Sequence, residues 1–204
     1  MKKSIVVRFF IFVVMICLVD VTVASVSVEI MSKTQTCAAC HGAEGVSSNP
    51  EWPNLAGQHA TYLQKQLNDY KTGKIRNAVI MTGIAASLSD KDIEDLAKYY
   101  AALPRSNGKT LEKYHALGEK IYRSGDFDKG ITACIACHGP KGTGNDEAGF
   151  PVLSGQQVHY TLQQLKAFKD KTRCNDLNHI MQDICGRMSQ EDMAAVAYYM
   201  RGMD

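Results

Sequence analysis

No apolar run in these 204 residues approaches the roughly 20 needed to cross a bilayer as a helix, which excludes a multi-span membrane protein. An excess of one charge is also missing. Lys and Arg number 23 against 21 Asp and Glu, and with Lys2, Lys3, Arg8 and Asp20 set aside the remainder stands at 20 against 20. That balance excludes the basic footprint of a nucleic-acid binder. Strand-like alternation of apolar and polar residues is lacking as well, which leaves an all-α chain. With 45% apolar and 22% charged residues the composition is globular, neither collagenous nor disordered. Its length suits one large domain or two small ones.

What is present begins with an export signal. Lys2, Lys3 and Arg8 precede an uncharged apolar run from Phe9 to Val19, and the small residues Ala24 and Ser25 follow. The run covers about half of a hydrocarbon core, so cleavage after Ala24 or Ser25 is expected rather than an anchor. Residues 1–25 then form a signal peptide. Cys17 follows Ile16, not the small residue of a lipoprotein signal, and reads as an apolar signal residue.

Seven cysteines in an exported chain point first to disulfides. Four of them carry another pattern. Cys37-Ala38-Ala39-Cys40-His41 and Cys134-Ile135-Ala136-Cys137-His138 are two copies of C-x-x-C-H, the spacing of c-type haem attachment. On a helical turn, residues i and i+3 share a face, so two thiols meet the two vinyl groups of one porphyrin edge. The histidine at i+4 shares that face and lies beneath the iron as its nitrogen ligand. Zinc sites place their C-x-x-C pairs about 15–20 residues apart, and a dithiol redox pair sits in a βαβ context. Here the pairs are 97 apart and no strand accompanies them. The expected cofactors are two covalently bound haem c groups, held by Cys37, Cys40, Cys134 and Cys137, with His41 and His138 on the irons.

The repeat extends beyond the motif. Trp52-Pro53-Asn54-Leu55-Ala56-Gly57-Gln58 returns 98 residues later as Phe150-Pro151-Val152-Leu153-Ser154-Gly155-Gln156, and Tyr62, Gln66 and Leu67 return as Tyr160, Gln164 and Leu165. At an offset of 100, Met81, Ser89, Asp92 and Ala97 meet Met181, Ser189, Asp192 and Ala197. Leu63, Leu67 and Tyr70 keep helical spacing, and Ser-x-x-Asp at 89 and 189 opens a final helix in each copy, with Ile93, Leu96, Ala97 and Tyr100 on one face. Pro104 to Lys109 has the composition of a linker. The domains are placed at 26–104 and 111–204, with 105–110 between them. Domains this small are marginal by burial alone, and the haem adds apolar mass. Trp52, Leu55, Phe150 and Leu153 are candidates to pack on it.

An open sixth position binds oxygen or peroxide, whereas a methionine there confines the iron to electron exchange. Met81 and Met181 occupy equivalent points before the capped final helix and are the expected axial ligands. Met188, Met193 and Met200 align with Leu88, Ile93 and Tyr100, as core positions do. Of the rival histidines, His59, His115, His159 and His179, the last has Val79 as its counterpart, and His59 and His159 are shifted from alignment with each other, so a ligand role is not expected of them. The Pro53 and Pro151 carbonyls are candidates to orient the ligating histidines.

With these motifs, the two Pro-x-Leu-x-Gly-Gln segments and the two methionines ahead of Ser-x-x-Asp helices, residues 33–204 resemble the class I cytochromes c, and among them the two-haem cytochrome c4 family. The resemblance implies two tandem all-α cytochrome c domains related by a pseudo-twofold, with haems facing across the interface. It further implies a periplasmic electron carrier, not an enzyme, running from a bc1-type complex to a terminal oxidase or reductase and often loosely associated with the membrane. A cytochrome subunit of a dehydrogenase, such as flavocytochrome sulfide dehydrogenase, would have the same sites. A dihaem peroxidase would need a displaceable ligand. Two departures stand out. Gly118 and Tyr122 match the family's N-terminal helix, but the first copy lacks that glycine, so a short or irregular helix is expected before Cys37. Cys174 and Cys185 bracket Met181, and a disulfide between them is expected in an oxidising compartment.

Overall fold

Ser89 and Ser189 each start the last helix of one half in the same way. In the computed structural model, which describes residues 30–203, Ser89 Oγ accepts the Asp92 N–H at 3.1 Å while Asp92 Oδ2 accepts the Ser89 N–H at 2.9 Å. The Ser189–Asp192 pair repeats this at 3.1 and 2.8 Å. Two orphan donors are satisfied reciprocally at each helix start. Residues 1–25, expected as a signal, lie outside the described region.

The first half contains α1 (30–41), α2 (Ala60–Thr72), α3 (Val79–Ala86) and α4 (Asp90–Ala102). The second contains α5 (Glu112–Ser124), α6 (Ile135–His138), α7 (Val158–Lys169), α8 (Ile180–Arg187) and α9 (Gln190–Arg201), with a 3-10 turn at Leu177–His179. Among the described residues there is no β-strand, only two isolated bridges, Asp126–Ile131 and Asn145–Phe150. No helix there is long and apolar enough to cross a membrane. The chain is all-α, as the missing alternation predicts.

Helix α1 corrects one expectation. Its described part is regular from residue 30 and runs without interruption through the Cys37–His41 motif. In the second half, by contrast, a hairpin around Asp126–Ile131 separates α5 from the short motif helix α6. With no intervening hairpin, the first motif is simply the last turns of α1. Lys33 on α1 pairs with Asp92 of the first capping box, and Lys129 on the hairpin pairs with Asp192 of the second at 2.8 Å. The two halves thus reach the same electrostatic contact by different routes.

The second half holds the larger core. Helices α5 and α9 cross so closely at Gly118 that a Cβ there would lie 2.4 Å from the Ala195 carbonyl oxygen. Tyr122, one turn further on, is fully buried and donates to the Gly139 carbonyl at 2.7 Å. Met188, Met193 and Met200 sit in this core at 2–4% exposure, as their apolar counterparts suggested. In the first half, Leu63, Leu96, Ala97 and Tyr100 form the smaller cluster.

The halves meet through reciprocal contacts. The Gln58 side chain donates to the Val152 carbonyl at 3.0 Å and accepts the Val152 N–H at 2.9 Å. Gln156 does the same to Asn54, at 2.9 and 2.8 Å. Because Gln58 and Gln156, like Asn54 and Val152, are repeat equivalents, these four bonds express the pseudo-twofold directly. The connecting segment is pinned as well: Gly155 has φ +72°, and a Cβ on it would fall 1.8 Å from the Ser106 carbonyl oxygen.

Candidate functional site

Each motif histidine is fixed through its Nδ1. His41 Nδ1 lies 2.9 Å from the Pro53 carbonyl oxygen, and His138 Nδ1 lies 3.0 Å from that of Pro151. A carbonyl only accepts, so Nδ1 carries the proton and Nε2 keeps its lone pair. Both rings are buried, at 6% and 8% exposure, and burial lowers both pKa values below the usual histidine range. Each imidazole is thereby oriented with its Nε2 lone pair free, the form in which histidine can ligate a metal.

These rings share one continuous cavity of about 1000 Å³. Cys37, Cys40, His41 and Met81 line it from the first half, and Cys134, Cys137, His138 and Met181 from the second. All eight sequence-selected residues are thereby brought together. Trp52, Leu55, Phe150 and Leu153 line it too. Burial pushes the Cys134 thiol up to about 11 and raises that of Cys37. The donor set suits a c-type haem: two thiols, an imidazole with an oriented lone pair and a thioether around an apolar space. Among the described residues no group of three or more His, Cys, Asp or Glu could hold a metal ion.

The other histidines stay away from this lining. His59 Nε2 contacts the Thr143 carbonyl at 2.9 Å across the domain interface, His159 faces Glu51 at 3.7 Å, and His115 faces Glu119 at 3.9 Å. His179 is exposed and lies 2.6 Å from Gln182 Nε2. Asn178 and His179 both adopt positive φ, 51° and 59°, immediately before α8 and Met181.

The expected disulfide is overturned: Cys174 and Cys185 are both free. The Cys174 amide donates to the Ile75 carbonyl of the first half at 3.0 Å, and its thiol points to the same oxygen at 3.6 Å. Cys185 is 0% exposed within the core of the second half, and burial pushes its thiol up to about 12. Bracketing Met181 in sequence did not bring the two side chains to one place, because one faces the other domain and the other faces inward.

Sequence reasoning missed a polar group on the cavity wall, of which Gln66, Arg76 and Arg173 are buried. Tyr62, Gln66, Arg76, Tyr160, Gln164 and Arg173 all line it. The signal was available: Tyr62 and Gln66 recur as Tyr160 and Gln164, polar residues repeated on helices whose apolar face had been marked.

Two helical domains, each directing a C-x-x-C-H motif and a methionine into one apolar cavity, define a dihaem c-type cytochrome. Comparison with known proteins agrees. The cytochrome c family model matches residues 29–103 and again 116–204. Cytochrome c4 of Pseudomonas aeruginosa is 43% identical over 173 residues, 84% of this chain and 86% of that protein. The crystal structure of reduced recombinant cytochrome c4 from Pseudomonas stutzeri superposes with a TM-score of 0.83 at 40% identity, over 86% of this chain and 97% of that one. A thiosulfate dehydrogenase electron acceptor of Stutzerimonas stutzeri is 38% identical over 80% of this chain and 76% of its own length. The chain belongs to the cytochrome c family, among the two-domain cytochromes c4. It is a dihaem electron-transfer cytochrome carrying two covalently bound haem c groups.

Proposed function

We propose that this chain is an exported, periplasmic shuttle that takes single electrons from a bc1-type donor and passes them to a terminal oxidase or reductase, with no catalysis of its own. In this reading residues 1–25 are removed on export and residues 105–110 link the domains at 26–104 and 111–204. Cys37 and Cys40 bind one haem through thioethers, and Cys134 and Cys137 the other. His41 with Met81 would hold one iron, and His138 with Met181 the other. Bound haem c supplies reversible one-electron chemistry at its iron.

The residues around it do the rest. Pro53 and Pro151 hold the imidazoles in the tautomer that can ligate, and Met81 and Met181, as ligands, would keep oxygen and peroxide from the iron. The observation that carries the reading is the single cavity in which both ligand sets meet. A visible spectrum with haem quantification per chain tests it. Two haems and a ferric sulfur-to-iron charge-transfer band support the assignment, whereas a single haem per chain, or no such band, sinks it.

One comparison favours a second reading of the partners. The similarity to a thiosulfate dehydrogenase electron acceptor fits a chain that receives electrons from a dehydrogenase with which it associates. Native mass on purification separates the two: a shuttle runs alone, and a dedicated subunit carries its enzyme with it.

A further inference from the structure

Arg76 and Arg173 are buried, at 4% and 6% exposure, on the wall of the haem cavity. Arg76, between α2 and α3, stacks on Tyr70 of its own half at 4.5 Å and reaches into the other half. There its Nη2 donates to Tyr160 Oη at 2.7 Å and to Gln164 Oε1 at 3.3 Å. Arg173, between α7 and α8, stacks on Phe168 at 4.4 Å and reaches back. Its Nη2 donates to Tyr62 Oη at 2.9 Å and Gln66 Oε1 at 3.2 Å, and its Nη1 to Gln164 Oε1 at 2.8 Å. Arg76 Nη1 also donates to Gln66 Oε1. The two guanidiniums cross the interface in opposite directions and share the same pair of glutamines.

None of these partners is an anion. Among the described residues neither arginine makes an ion pair. Asp69, the carboxylate joined to the network through Asn175, accepts from Asn175 at 2.6 Å and is paired with Lys65 at 2.6 Å. Arg76 Nε, moreover, is a buried donor with no acceptor. Two like charges taken out of water without a counter-charge are costly, and a guanidinium fork matches a carboxylate. A c-type haem brings two propionate carboxylates on its porphyrin edge, and this cavity receives two haems.

We infer that Arg76 and Arg173 form a crossed clamp for the propionates of both haems, and that through it the charge on one iron biases the other. The inference rests on the reading that both C-x-x-C-H motifs place their haems in this cavity. The arginines are positioning residues that touch no iron. A fixed positive charge favours the ferrous state, and because each arginine spans both halves, removing either one acts on both haems. Coupling between the sites is then reciprocal.

Spectropotentiometric titration of the holoprotein tests this with Arg76→Gln, Arg173→Gln and the corresponding lysine variants. Each glutamine variant is expected to raise the ferric-to-ferrous ratio of both haems about tenfold at a fixed applied potential, while each lysine variant stays within twofold of wild type. The propionate bending modes in the resonance Raman spectrum should move in the glutamine variants. Glutamine variants within twofold of wild type overturn the clamp, and so do lysine variants that shift as far as glutamine, which would show a packing role for the fork. Should a glutamine variant fail to accumulate, Arg76→Lys/Arg173→Lys decides: it keeps both charges, and a shift beyond twofold in either haem overturns the proposal. A two-haem spectrum in each variant shows that attachment is intact, so such failures would fall on the clamp alone. Fewer than two haems in the wild-type chain would overturn the underlying reading instead.

Discussion

Gln58 holds Val152 by both of its backbone groups, donating to the carbonyl at 3.0 Å and accepting the N–H at 2.9 Å. The contact imitates one rung of a β-ladder, made by a side chain across two domains whose described residues form no strand. Truncating Gln58 to alanine leaves a buried donor and acceptor unpaired, which costs about 1–3 kcal/mol. We expect the Gln58→Ala holoprotein to unfold in two calorimetric transitions where the wild type shows one, with the first moved to lower temperature.

Gly118 and Gly186 respond oppositely to the same change. At Gly118 a methyl group would drive into the Ala195 carbonyl and Tyr199 Cβ, 2.4 and 2.6 Å away, so Gly118→Ala forces α5 off α9. Overpacking of this kind costs about 1–3 kcal/mol. A Cβ at Gly186, inside α8, meets nothing within 4 Å, and Gly186→Ala is expected to stabilise by about 0.5–1 kcal/mol through helix propensity. Denaturant midpoints of the two holoproteins check both signs.

Acid should weaken the second domain through Asp192. Burial alone would raise this carboxyl, but hydrogen bonds from Lys129 and Ser189 outweigh it and hold the pKa below the usual carboxylate range. A depressed folded-state pKa gives stability that is present above the unfolded value of about 3.9 and lost as pH falls through the folded one. Thermal midpoints measured from pH 6 to pH 2 should therefore drop more steeply for the wild type than for Asp192→Asn, whose midpoint starts lower at pH 6.

Thiol chemistry checks the unbridged cysteines. Cys174 is half-buried and should react with an alkylating reagent in the native holoprotein, whereas Cys185, at 0% exposure, should react only after unfolding. The expected count for residues 30–203 is one thiol native and two unfolded. A count of zero in the unfolded, unreduced chain would restore the bridge.

Met181→Ala should remove half of the ferric sulfur-to-iron band and open one haem to cyanide, leaving the other unreactive. Loss of the entire band, or no loss, would show that Met181 is not the ligand of a single iron.

What the sequence made legible was local or repeated. Ser89 and Ser189 announced their capping boxes three residues ahead, and Gly118 stood out through the resemblance to the family's N-terminal helix. The Pro53 and Pro151 carbonyls could be anticipated from the need of a ligating imidazole for an acceptor. Contacts between the copies were not legible. The repeat shows that Gln58 and Gln156 correspond, but not that each serves the other's domain, since a twofold relation is a property of packing and not of spacing. Arg76 and Arg173 escaped notice for a related reason: alone, each resembles a solvated loop cation, and their contacts with the facing half cannot be read from spacing. Cys174 and Cys185 misled because nearness along a ligand loop says nothing of the direction in which each side chain leaves the backbone.

The glutamine contacts carry one more implication. Residues 30–104 contain both the side chain that grips, Gln58, and the backbone that is gripped, at Asn54, so that surface is complementary to itself. Two copies of the first half, placed about a true dyad, would satisfy the same four hydrogen bonds that the tandem chain makes between unlike halves. These four contacts therefore ask nothing of the covalent tether, and a dyad of two identical single-haem halves would present the same hydrogen-bonding edge.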